Sequence, residues 1–254
     1  MLIRSVRPAR LPRKILMPKI TIVETGVISP KTRTQHGSFP QMFERLIGEA
    51  DASASFATVQ LMEGEALPDP AGLEAILLTG SPAGVYEDLN WIAPLERFVR
   101  AAYQLRIPMA GICFGHQLIA QALGGTVRKS EKGWGIGRHV YDVAPGNGVI
   151  DAATIAIAAS HQDQVVEPPA GATTIFRSPF TPHAGILYAN GTALSVQPHP
   201  EFTAAFADWC CEKAGQNGAP EALGASAKAS LEQTLDHADL GRAITRFLAT
   251  PRKA

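Results

Sequence analysis

The 254-residue chain is expected to fold as α/β: a mostly parallel central sheet flanked by helices, with a nucleophile-elbow turn at Cys113 and a helical extension at the C-terminus. Three observations predict this. Short apolar runs alternate with stretches of helical periodicity, the pattern of parallel strands joined by helical crossovers. One run, Leu105 to Ile112, ends in Gly111-Ile112-Cys113-Phe114-Gly115 and gives way at once to helical spacing in Leu118, Ile119, Ala122 and Leu123. The residues beyond Glu201 read as helix and turn.

Taken in order, Ile20 to Glu24 is the first strand. Ser38 and Pro40 make the cap and first turn of a helix carrying Phe43, Leu46 and Ile47. Phe56 to Leu61 and Ala75 to Thr79 are strands, and Pro94 opens a helix carrying Leu95, Phe98 and Val99. Ile107 to Ile112 is the strand that leads into Cys113, and Gly124-Gly125 stop the helix that follows. Thr126 to Val143, interrupted by Gly133-Trp134-Gly135-Ile136-Gly137, and Thr154 to Tyr188 are rich in strand and turn residues. They predict antiparallel strands added to the parallel core, with the glycines as turns. Thr192 to Val196 is the last strand. Phe202 to Lys213, Pro220 to Leu235 and Leu240 to Leu248 are helical stretches expected to be structural.

The turn at Cys113 carries the chemistry. A cysteine between strand and helix has its sulfur at a helix N-terminus, where unpaired N–H groups and the dipole favour a thiolate and can hold an oxyanion. Such an elbow needs residues without side chains on both sides of the nucleophile, and Gly111 and Gly115 supply them. Downstream lies Ser195-Val196-Gln197-Pro198-His199-Pro200-Glu201. Prolines on both sides of His199 exclude a helix and are expected to keep the backbone extended, so that His199 and Glu201 project to one side. Glu201 can then fix the imidazole tautomer and leave the other ring nitrogen to exchange a proton with Cys113.

The elbow Gly-Ile-Cys-Phe-Gly-His-Gln, followed by Gln-Pro-His-Pro-Glu, resembles the class I glutamine amidotransferases. In that family the triad would be Cys113, His199 and Glu201. Ala75-Ile76-Leu77-Leu78-Thr79-Gly80-Ser81-Pro82 looks like the family's strand and oxyanion loop, which implies that the N–H groups of Gly80 and Phe114 hold the oxyanion. Ser160-His161-Gln162-Asp163-Gln164-Val165 is similar to the segment that holds the α-amino and α-carboxylate ends of glutamine. The resemblance thus implies Ser81, Gln117, Ser160, His161 and Gln162 as substrate-binding residues. It runs from about Lys19 to Glu201, and the tail through Phe247 looks like a helical extension found in some members.

Composition is compatible with this and excludes little else. Twenty-three basic residues balance twenty-three acidic ones, so a nucleic-acid partner has no electrostatic footprint. No apolar stretch reaches the ~20 residues that cross a membrane. Cys113, Cys210 and Cys211 make no disulfide framework, which points to a reducing cytoplasm. Arg4, Arg7, Arg10, Arg13 and Lys14, interspersed with Pro8 and Pro12, read as a basic, disordered tail over residues 1–17, ahead of one domain over 18–250. Its prolines interrupt the amphipathic helix of a transit peptide, and it lacks the apolar core of a secretory signal. The segment reads as a solvated tail or as the product of an upstream start codon.

No cofactor or metal is expected: His36, His116, His139, His161, His183 and His237 show no zinc-ligand spacing and read as packing or surface residues, with His161 set apart by its place in the substrate segment. The expected partner is a small γ-glutamyl compound, glutamine or a γ-glutamyl peptide or amine. Three functions follow from the resemblance. A stand-alone γ-glutamyl hydrolase is the favoured expectation, on the Phe114-Gly115-His116 form of the elbow and on the lack of a synthetase domain or pyrophosphatase loop after the glutaminase-like part. A glutaminase supplying ammonia to a separate synthetase is the alternative. A non-catalytic regulatory domain on the same fold would have lost Cys113, His199 or Glu201, and all three are present.

Overall fold

The computed structural model describes residues 17–250. Its strands are β1 (Lys19–Glu24), β2 (Ser55–Gln60), β3 (Ala75–Leu78), β4 (Met109–Ile112), β5 (Thr126–Lys129), β6 (Gly135–Val143), β7 (Thr154–His161), β8 (Asp163–Glu167), β9 (Thr173–Arg177), β10 (Gly185–Leu187) and β11 (Ala193–Val196). The helices are α1 (Pro30–His36), α2 (Phe39–Ala50), α3 (Ile92–Gln104), α4 (Phe114–Ala122), α5 (Ala204–Gln216), α6 (Glu221–Ser230) and α7 (His237–Leu248). Nine strands form one sheet in the order β2-β1-β3-β4-β11-β10-β9-β6-β7, and β5 pairs with β8 in a separate ribbon. The five strands from β2 to β11 are parallel; the remaining four run antiparallel to their neighbours.

The parallel half is made by short runs that are apolar on both faces. β3 and β4 are buried at every position, as strands covered by helices on both sides must be. On one face α2 and α7 supply Phe43, Leu46, Ile47, Leu240, Ile244 and Leu248. On the other, α3 and α4 supply Leu95, Phe98, Val99, Leu118 and Ile119. α2 starts where Ser38 and Gln41 form a capping box: Ser38 N–H donates to Gln41 Oε1 (2.8 Å) and Gln41 N–H to Ser38 Oγ (3.3 Å). A third apolar cluster around Phe39, Phe202 and Phe206 joins α5 to the antiparallel half.

The elements follow the order expected from sequence, with several differences, among them that β5 and β8 stand apart from the main sheet and that α7 starts at His237, three residues before Leu240. α1 is an added helix, started by Pro30 at its first position and by Ser29, whose Oγ accepts from Thr32 N–H at 3.3 Å. α3 begins two residues before Pro94, at Ile92. α6 stops at Ser230 and does not continue to Leu235, because the Ser230 hydroxyl turns to Ala227 O and accepts from Arg138 N–H of β6. Gly135 and Gly137 are strand residues of β6, while Gly133 sits in a turn. At Gly137, φ is +82° and a Cβ would lie 2.7 Å from Ala227 Cα, so glycine is what lets α6 rest on the strand. Of the expected basic tail, residues 1–16 lie outside the described residues; Met17 packs against the core.

Candidate active site

Three adjacent parallel strands deliver the site. Val196 of β11 pairs with Ile112 of β4, and Leu78 of β3 with Gly111, so Thr79-Gly80, Cys113 and Gln197 leave the sheet side by side at its carboxyl edge. This is where open α/β sheets place their ligand crevices. Cys113 N–H donates to Val196 O (2.9 Å) and Gly115 N–H to Thr79 O (3.1 Å), which ties the elbow to both neighbours.

The elbow is strained and sterically closed. Cys113 has φ +52° and ψ −102°, a conformation that side-chain-bearing residues rarely adopt. A Cβ at Gly111 would lie 2.5 Å from Gly115 O, and one at Gly115 would lie 2.5 Å from Leu78 O. Both glycines are therefore required by contact, as the sequence implies. Cys113 stands as the cap of α4, buried at 6% exposure and lining a cleft of about 700 Å³.

His199 and Gly80 line the same cleft. A Cβ at Gly80 would touch His199 Cε1 at 3.1 Å and Cys113 Cβ at 3.7 Å, so this glycine leaves the imidazole and the thiol open to each other. Among the described residues, neither Gly80 N–H nor Phe114 N–H donates to another backbone or side-chain group. His199 Nδ1 lies 2.7 Å from Glu201 Oε1, and both residues are buried. The backbone there is not extended as expected. It turns through Pro200 and Glu201, closed by Phe202 N–H donating to His199 O at 3.4 Å, and the carboxylate still reaches its imidazole. Burial works against a charged imidazole, but the Glu201 carboxylate and the Cys113 sulfur outweigh it and hold the His199 pKa up at about 10.

Ser81, Gln117, Ser160, His161 and Gln162 all line the cleft. Gln117 Nε2 donates to Asp163 O at 2.8 Å and to Gln197 Oε1 at 3.1 Å. Cys113 Sγ is 4.0 Å from Ser160 O. His161 is buried, its Nδ1 3.2 Å from Asp163 O, and desolvation lowers its pKa to about 3, so the ring is neutral. Phe114 and Glu201 stand behind the cleft wall, the first with its ring buried against Trp91 and the second behind His199. His116 faces away from the cleft into the core, where its Nδ1 meets Ser195 Oγ at 2.8 Å.

Two features escape sequence reading. Gln197, fully buried, places Nε2 3.5 Å from Cys113 Sγ and links that sulfur to Gln117; its place in the Gln-Pro-His-Pro-Glu segment is the signal that could have found it. α5, expected to be structural, instead forms a wall of the cleft through Phe206, Trp209 and Lys213. Their spacing of three and four residues marks one helix face, and it is legible once the helix is known to border the site. Beneath the site, the Thr25 hydroxyl lies 3.0 Å from Thr79 O and 3.2 Å from Gly80 O and pins the turn after β3. Among the described residues, no three His, Cys, Asp or Glu side chains could together hold a metal ion, and no helix is long and apolar enough to cross a membrane.

Residues 36–208 match the family described as glutamine amidotransferase class-I. A glutamine amidotransferase-like protein of Schizosaccharomyces pombe is 33% identical over 138 residues, which cover 53% of this chain and 55% of that protein. Gamma-glutamyl peptidase 4 of Arabidopsis thaliana is 29% identical over 177 residues, covering 66% and 69% of the two chains. The chain thus spans between about half and about two thirds of the length of these relatives. A glutamine amidotransferase from Thermotoga maritima shares the fold, with a TM-score of 0.71 at 19% identity over 92% of this chain and 99% of that one. The chain belongs to the class-I glutamine amidotransferase family.

Proposed function

We propose that the chain hydrolyses γ-glutamyl amides through a γ-glutamyl thioester on Cys113, with His199 as the acid and base and Glu201 as its orienter. The observation that carries this reading is the meeting, in one cleft, of a strained cysteine elbow with an imidazole whose far nitrogen is held 2.7 Å from a buried carboxylate. Cys113 as thiolate attacks the γ-carbonyl carbon, forming a C–S bond and an oxyanion. The unpaired N–H groups of Gly80 and Phe114 are the donors available to that oxygen, and one such donor is typically worth about 10²–10³-fold. The tetrahedral species collapses as the C–N bond breaks, and the imidazolium of His199 gives its proton to the departing amine. Water then attacks the thioester, His199 takes its proton, and the C–S bond breaks to release glutamate and the thiolate. A raised His199 pKa suits the first half of this cycle, since the ring starts as the acid.

On this reading the acyl part of the substrate lies towards Gln117, Ser81 and the Ser160 to Gln162 segment. Ammonia and glutamate release from glutamine, measured beside glutamate release from a γ-glutamyl dipeptide, tests it. Cleavage of either that disappears in Cys113→Ala supports the mechanism; unchanged activity in that variant overturns it. Cleavage of glutamine alone, rising when a synthetase is added, would assign the ammonia-supplying role in place of the stand-alone one.

A further inference from the structure

The cleft is larger than a single glutamine needs; at about 700 Å³ it falls among pockets that hold drug-sized ligands. Part of that extra room is walled by aromatic residues. His199 must reach the departing nitrogen, so the amine part of the substrate lies on the side of the cleft that the imidazole borders. There the imidazole is stacked on Phe202, with centroids 3.9 Å apart and planes 9° apart. Phe206 meets Phe202 edge-on at 4.6 Å, Trp209 stacks on Phe206 at 5.2 Å, and Lys213 Nζ stands 5.4 Å from the Trp209 ring. Phe202 and Phe206 are buried, 3% and 1% exposed, and back the wall of the cleft, while Trp209 and Lys213 are partly exposed in it, so a wall that starts behind the imidazole ends in an accessible indole beside a cation. Lys213 bonds only Gln216 Oε1, at 2.8 Å, and has no ion-pair partner among the described residues. Trp134 faces the same space from the loop before β6.

We propose that the preferred substrates are γ-glutamyl amides whose amine part is aromatic and bears a carboxylate, the ring lying against Trp209 on the side of the cleft shared with Trp134 and the carboxylate turned to Lys213. This rests on the γ-glutamyl-hydrolase reading above and adds to it the identity of the leaving group. Aromatic pairs give affinity beyond the area they bury, and a cation at the far end selects for charge. Glycine or ammonia as leaving group leaves this wall unused.

The test compares kcat/KM for γ-glutamylphenylalanine, γ-glutamylglycine and γ-glutamylphenethylamine, the last having the ring without the carboxylate. The wild-type protein should prefer γ-glutamylphenylalanine over γ-glutamylglycine by about tenfold or more. Trp209→Ala should reduce that preference about tenfold, and Lys213→Met should reduce the preference for γ-glutamylphenylalanine over γ-glutamylphenethylamine by several-fold. Equal or better cleavage of γ-glutamylglycine by the wild-type protein, or preferences unmoved in both variants, overturns the proposal. If the wild-type protein cleaves none of these compounds and not glutamine, the hydrolase reading fails by itself. Calorimetric binding to Cys113→Ala then decides: tighter binding of γ-glutamylphenylalanine than of γ-glutamylglycine upholds the pocket, and equal or undetectable binding ends it.

Discussion

The two halves of the sheet do different work. The parallel half, β2-β1-β3-β4-β11, holds its backbone by interstrand registers without a shift and ends three neighbouring strands at Gly80, Cys113 and Gln197. The antiparallel half, β10-β9-β6-β7, has a register shift at Gly185/Ile186 and gives the site one wall, through Ser160 and the backbone of Ala158, which accepts from His199 N–H at 2.8 Å. In the first half backbone position sets the residues proposed to carry the chemistry; in the second it sets the shape of the cleft. Substitutions in the two halves should therefore separate rate from stability.

The largest effect belongs to the proposed nucleophile. Cys113→Ala should lower turnover by on the order of 10⁴–10⁶-fold while the circular dichroism spectrum and melting temperature hold, because alanine keeps the small side chain the elbow accommodates. A variant retaining a tenth of the activity would break the assignment of chemistry to the parallel half.

Next comes the orienter. Glu201→Gln should cost about 10²–10⁴-fold in turnover and lower the His199 pKa, read by imidazole NMR, since the carboxylate is the principal group raising it. The sign for stability follows. The His199 pKa lies above its unfolded value of about 6.5, so the pair stabilises the fold fully below that pH and loses its contribution as pH rises through about 10. The wild-type protein should lose stability between those limits more steeply than Glu201→Gln. Parallel curves would show that the carboxylate does not hold the proton on the ring.

Paired glycine substitutions sharpen the comparison. Gly115→Ala in the parallel half sets a Cβ 2.5 Å from Leu78 O, and Gly137→Ala in the antiparallel half sets one 2.7 Å from Ala227 Cα at φ +82°. Each should destabilise by about 1–3 kcal/mol, a fall of about 2–4 °C in Tm per kcal/mol. Only Gly115→Ala should also reduce kcat per folded molecule, because the elbow itself must shift. Equal kinetic damage from Gly137→Ala would show that the halves are mechanically one.

The same division explains what could be read beforehand. β1, β3, β4 and β11 were legible because strands covered on both faces are short unbroken apolar runs. The elbow was legible because Cys113 is bracketed by glycines whose absence of side chain the geometry demands. The antiparallel strands could be expected as a class, but β6 was obscured by Gly135 and Gly137, which look like turn residues until Phe180 is known to press on the first and Ala227 of α6 on the second. The aromatic wall of α5 was hidden for a different reason. Phe206 and Trp209 have core-like spacing, and only the docking of the helix beside His199 turns part of that face towards the cleft. The turn at Pro200 and Glu201 shows the reverse case: the backbone expectation failed, and the contact it was meant to produce formed through another route.

The smallest expected effect concerns Gln197, which leaves β11 beside Cys113 and was read only as part of a motif. Its amide bridges Cys113 Sγ at 3.5 Å and Gln117 at 3.1 Å, with no exposure to solvent. Such a group cannot exchange protons, so its contribution is to hold the sulfur and the cleft-lining Gln117 at a fixed separation. Gln197→Met keeps the volume and removes both hydrogen bonds; it should lower kcat by about tenfold, with KM for a γ-glutamyl substrate rising as Gln117 loses its support. Its pH profile should match the wild-type profile, which separates a positioning role from an acid or base one. A shifted pH profile would place Gln197 within the proton chemistry of the parallel half, and an unchanged kcat would remove it from the site.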